Sequence, residues 1–107
     1  MIAIVDHGYA NIRSVDRMLR RLNQIPLIVD RPEDIRRADK VILPGIGAFD
    51  GPMRRLEELG LVDALTEHAI ARGRPILGIC VGMQIMTRGS EEGDARGLGW
   101  IDGECRR

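Results

Sequence analysis

The sequence has little cysteine, little histidine and no surplus of either charge, and each shortage narrows what the chain can be. Only two cysteines occur, Cys80 and Cys105, too few for a disulfide framework and in keeping with a reducing, cytoplasmic setting. Lys+Arg and Asp+Glu balance at 16 each, so no net field draws the chain to nucleic acid or to a membrane surface. No apolar run approaches the roughly 20 residues of a membrane span. Met1-Ile2-Ala3-Ile4-Val5 passes straight into a strand pattern without a charged leader or a cleavage site. There is no internal repeat, linker or low-complexity tract, and no metal or cofactor is expected.

What is present is ordinary for a globular protein: 44% hydrophobic and 30% charged residues. A length of 107 residues fits one domain, residues 1–107, large enough for a core but below the usual size of a complete multi-layer α/β enzyme. Short apolar runs at Ile2-Ala3-Ile4-Val5, Pro26-Leu27-Ile28-Val29, Val41-Ile42-Leu43 and Pro75 to Ile79 read as buried parallel strands. Between them lie helical patterns. Asn11 is a plausible cap for a helix whose apolar residues are Ile12, Val15, Met18, Leu19 and Leu22. Pro32 opens a brief second helix. Met53, Leu56 and Leu59 mark a third, which stops near Gly60 and resumes with Leu61, Leu65 and Ala69 as far as Gly73. A further helix is expected from Val81, a loop over Gly89 to Gly97, and the start of another strand at Gly99-Trp100-Ile101. Strands and helices alternating at this spacing predict a parallel sheet covered by helices on both faces, flavodoxin-like, with functional loops at the carboxyl ends of the strands.

The most informative stretch is Gly78-Ile79-Cys80-Val81-Gly82. A nucleophile presented on a sharp strand-to-helix turn needs small neighbours, and the two glycines supply them. Such a turn also sets the thiol at a helix start, where unpaired N–H groups favour thiolate and can hold an oxyanion. Cys80 is therefore the candidate nucleophile; the alternative is a buried cysteine after a core strand. The loops after the first, third and fourth strands, carrying His7, Gly45 to Gly47 and Cys80, should open on one edge of the sheet. Attack on an amide carbonyl needs N–H donors. Val81, just after the nucleophile, can provide one and the Pro44-Gly45-Ile46-Gly47 loop another, unless that loop is a plain turn or a phosphate cradle.

These motifs together resemble the class I, triad-type glutamine amidotransferases. The resemblance is strongest to the glutaminase subunits of imidazole glycerol phosphate synthases. It extends from the Gly8 to Val15 segment through Leu43-Pro44-Gly45-Ile46-Gly47-Ala48-Phe49 and Gly78 to Gln84, then Ser90-Glu91-Glu92-Gly93 and Gly97-Leu98-Gly99-Trp100-Ile101. Val81 stands where the family commonly has Leu, harmless if only its backbone acts. The resemblance implies hydrolysis of glutamine through a γ-glutamyl thioester on Cys80. Released ammonia would pass to a (β/α)₈ cyclase partner, which uses it to make imidazole glycerol phosphate. It further implies an oxyanion loop of Gly45, Ile46, Gly47 and Val81, glutamine held by Gly82, Gln84 and Glu92, and Asn11 near the partner-facing end of the sheet.

A cysteine nucleophile also needs a base and a carboxylate to orient it, and in the family that His and Glu lie well downstream. The only histidines here are His7 and His68. His68 falls in a helix, where an exposed or half-buried structural role is expected, and His7 follows the first strand without a partner that would make it a base. The chain is thus expected to be the amino-terminal part of a glutaminase, inactive alone and prone to self-association. Two other readings stay open: the glutaminase of a different glutamine-dependent synthase, and a non-catalytic flavodoxin-like binding domain.

Overall fold

The computed structural model describes residues 1–106. Its elements are β1 (Ile2–Val5), α1 (Ile12–Arg21), β2 (Leu27–Val29), α2 (Pro32–Arg37), β3 (Lys40–Gly45), α3 (Asp50–Glu58), α4 (Val62–Thr66), β4 (Ile76–Cys80), α5 (Val81–Gln84), β5 (Gly89–Ser90) and β6 (Glu104–Cys105). A π-helical turn, Glu67–Ala71, prolongs α4. Asn11 caps α1 as expected, its Oδ1 accepting from the Ser14 N–H at 3.3 Å, and Pro32 occupies the first turn of α2.

The four long strands form one parallel sheet in the order β2-β1-β3-β4. Alternate side chains point to opposite faces. Ala3, Val5, Val41 and Leu43 face a layer made by α2, α3 and α4, where they bury Ile35, Met53, Leu56, Leu61 and Leu65. Each such large side chain removed from water contributes about 1.5–3 kcal/mol, so this is the core.

Cover on the other face is unequal. The register aligns Ile28, Ile4, Ile42 and Leu77 in a row across the sheet. Exposure along that row runs 48%, 0%, 8% and 56%, because α1 alone lies over it and reaches only the middle. None of the residues of α1 is itself buried.

Two expectations need correction. Gly99-Trp100-Ile101 does not start a strand; the pairing falls later, at Glu104–Cys105, which joins Gly89–Ser90 in a separate two-stranded parallel sheet. Gly99 has φ +72°, which turns the chain out of any strand. The segment expected to be a loop from Gly89 opens instead with β5, whereas the helix expected from Val81 is present as a single turn. The N–H groups of Leu98, Ile101 and Gly99 donate to the carbonyls of Ile85, Met86 and Thr87, so the groups that would propagate the helix are capped by the segment expected to be a strand.

Candidate active site

β4 delivers Cys80 to the carboxyl end of the sheet with its side chain exposed. The residue holds φ 53° and ψ −121°, a conformation that costs a non-glycine residue about 1–3 kcal/mol and persists only where the surroundings impose it. The neighbouring glycines show what imposes it. A Cβ on Gly78 would stand 2.7 Å from Cα of Met83, and one on Gly82 would collide with the carbonyl oxygen of Leu43. A Cβ on Gly45 would stand 2.9 Å from the Gly82 nitrogen. α5 is therefore pressed against β3 through glycine contacts, and the chain can make the turn only by bending sharply at Cys80.

Gly45 lies directly opposite Cys80 in the sheet register, so the Gly45–Gly47 loop leaves β3 beside the sulfur. Ile46 and Cys80 border one apolar groove of about 390 Å³, together with Asn11, Val15, Leu19 and Leu77. Gly47 has φ +82°, the left-handed region that favours glycine. The Ile46 N–H is committed to the carbonyl of Tyr9 at 2.7 Å. Gly47, outside any strand, and Val81, which opens α5 where the first N–H groups have no acceptor within the helix, are the candidate donors.

His7 is buried beneath this loop. Its Nδ1 accepts from the Tyr9 N–H at 3.1 Å and its Nε2 donates to the Pro44 carbonyl at 2.6 Å. An amide donor on one nitrogen and a carbonyl acceptor on the other select the neutral ring with its proton on Nε2, leaving no lone pair to take a proton from Cys80. His7 staples the β1–α1 loop to β3. His68 is fully buried rather than half-exposed, and bonds through Nε2 to the Pro75 carbonyl at 2.8 Å. Because β4 runs from Ile76 to Cys80, that contact lies at the end of the strand away from the sulfur.

The three residues expected to hold glutamine fall on the far side of Cys80. Gly82 is buried in the elbow. Gln84, Ser90 and Glu92 line one small cavity with Cys105 and Arg106, separate from the groove that Cys80 borders. The side chain of Asn11 is engaged in capping α1. Two residues escaped the reading from sequence. Tyr9 accepts from Ile46 through its backbone and rests its ring on Gly51, where a Cβ would stand 2.8 Å from the ring. Asp50 receives the Asp94 N–H at 2.8 Å and the Ala95 N–H at 3.0 Å. Those two amides, with smaller help from Arg54, hold its carboxyl below the ordinary value of 3.8 against the opposing effect of burial. Nothing in the sequence marks either role, since each depends on a contact with a distant segment.

The structure is thus a parallel α/β sheet with an exposed cysteine on a strained strand-to-helix elbow, flanked by a glycine loop from the adjacent strand. The family model for glutamine amidotransferase class-I matches residues 3–93, and the chain belongs to that family. It is 48% identical over 102 residues to imidazole glycerol phosphate synthase subunit HisH 2 of Pseudomonas aeruginosa, covering 95% of this chain and 50% of the relative. Identity to the subunit HisH of Thermosynechococcus vestitus is 47% over 106 residues, covering 99% and 50%. A crystal structure of a glutamine amidotransferase superposes with a TM-score of 0.83 at 19% identity, over 100% of this chain and 57% of that one, a likeness in fold. The chain spans about half the length of the curated relatives it matches.

Proposed function

We propose that this chain is the nucleophile-bearing part of the glutaminase subunit of an imidazole glycerol phosphate synthase, acting in the cytoplasm in histidine biosynthesis. The observation that carries the proposal is the exposed Cys80 on its strained turn, in register with Gly45. In this reading Sγ of Cys80 attacks the side-chain carbonyl of glutamine. The oxyanion is met by N–H groups of Gly47 and Val81, and collapse of the tetrahedral intermediate expels ammonia and leaves a γ-glutamyl thioester. Water then releases glutamate. Gln84 and Glu92 offer an amide and a carboxylate suited to the ammonium and carboxylate groups of the amino acid. The ammonia goes to a (β/α)₈ cyclase with which the subunit forms a heterodimer.

Departure of ammonia requires a proton donor, which neither His7 nor His68 can be in the geometry described above. Turnover of glutamine by these 107 residues alone is expected to be negligible, while alkylation, which needs only an exposed thiol, remains open. A chloroketone analogue of glutamine should label Cys80 well before Cys105, and Cys80→Ala should abolish that labelling. Equal labelling of both cysteines, or steady ammonia release that survives Cys80→Ala, would refute the assignment. Co-purification of a (β/α)₈ cyclase with the subunit expressed from its whole reading frame distinguishes this synthase from other glutamine-dependent ones.

A further inference from the structure

The start of α3 is where three segments of the site meet. It follows directly on the glycine loop, since Phe49 is the last residue before α3. Gly51 carries the ring of Tyr9, and so the β1–α1 loop. Asp50 carries the turn that follows β5. Within that turn, the Glu91 N–H donates to the Cys105 carbonyl on β6, and those of Glu92 and Gly93 are taken up locally by the Ser90 hydroxyl and carbonyl. The next two amides, of Asp94 and Ala95, instead reach across 44 and 45 residues of sequence to the two oxygens of one carboxylate. The fit is close. A Cβ on Gly93 would collide with Oδ1 of Asp50 and stand 2.6 Å from its Cγ.

From this geometry we infer that Asp50 is a positioning residue for the glutamine site: its carboxylate fixes the turn that carries Glu92 and so sets Glu92 in the cavity it shares with Gln84. The inference rests on the function proposed above and adds a residue to it. A planar acceptor receiving two successive N–H groups specifies the orientation of both peptides, which neither apolar packing nor a lone charge would do. The side chain is largely shielded and its ion pair with Arg54, at 3.6 Å, is looser than either amide bond, so the amides and not the arginine are its structural partners. Asp50 touches no reacting atom in this arrangement. It acts on substrate through Glu92.

The test uses the subunit expressed from its whole reading frame and assembled with its cyclase. Glutamine-dependent and ammonia-dependent synthesis are measured on the same preparations. Asp50→Asn keeps the shape but turns an N–H₂ toward one of the two amides. It should raise KM for glutamine roughly tenfold or more with little change in kcat, and leave ammonia-dependent synthesis at the wild-type rate. Gly93→Ala approaches the same contact from the other side and should show the same split, which keeps the test available if Asp50→Asn does not fold. Arg54→Gln should leave KM unchanged. An unchanged KM for glutamine in both Asp50→Asn and Gly93→Ala overturns the role of Asp50 alone. So does a parallel loss of glutamine- and ammonia-dependent rates, which would mark a merely structural residue. A wild-type complex that uses ammonia but never glutamine overturns the proposed function with it.

Discussion

Cys80 sits in a backbone conformation natural to glycine, and its neighbours hold it there. Replacing it separates strain from chemistry. Cys80→Gly should be more resistant to denaturant than Cys80→Ala by about 1 kcal/mol, the relief of 1–3 kcal/mol of strain less the greater freedom of glycine in the unfolded chain. Equal stability of the two variants would show that the turn is relaxed. The two buried histidines make a second contrast at this scale. His7 uses both ring nitrogens, so His7→Leu should cost about 1–3 kcal/mol in equilibrium unfolding. Nδ1 of His68 is buried with no partner among the described residues, and Pro75 also accepts from the Val41 N–H at 3.1 Å. His68→Leu should therefore lie within about 1 kcal/mol of wild type. Cys80 and its glycines were legible in the sequence because a tight turn restricts residue type locally. Asp50 and Tyr9 were not, because a side chain that binds a backbone amide 44 residues away leaves no local pattern.

Among the elements, strands and helix starts were read well wherever an apolar run or a cap residue defined them, as at β1, α1 and α2. The part after Cys80 was read less well. There the secondary structure is decided by which carbonyls the Leu98–Ile101 segment caps, and that is a tertiary matter. Acid sensitivity also belongs to this scale. Asp50 is held below 3.8 chiefly by the Asp94 and Ala95 amides, and Glu67, in the π-helical turn, below 4.5 chiefly by its bond to Arg36. For a carboxyl lowered in the folded state, the stabilisation is complete above the unfolded value and is lost as pH falls toward the folded one. The contribution of these two carboxyls to the denaturant midpoint should thus be complete above about pH 5 and be lost as pH falls below about 4. Asp50→Asn should remove part of that loss, and Glu67→Gln another part. A drop beginning above pH 6 would implicate other groups.

For the molecule as a whole, the row Ile28-Ile4-Ile42-Leu77 records how far one helix can cover a four-stranded sheet. Its exposed Leu77 end, with Met18 of α1 and Leu22 just after it, lines an apolar groove that should drive self-association at high concentration. Sedimentation velocity should show a concentration-dependent shift, and Leu77→Lys should weaken it about 10- to 100-fold, the value of burying one leucine. A strictly monomeric wild type would refute this. The parallel sheet was legible because βαβ units announce themselves by alternation; the imbalance between its faces was not, because α1 carries an apolar stripe whether or not anything covers its outer side. The strand that bears the sulfur is one of the two edge strands of the sheet among the described residues. Flanked on one side only, the thiol can be approached along a broad arc, so bulky maleimides and slim iodoacetamide should react with it at comparable relative speed. Size selection would have to be built by something lying alongside β4.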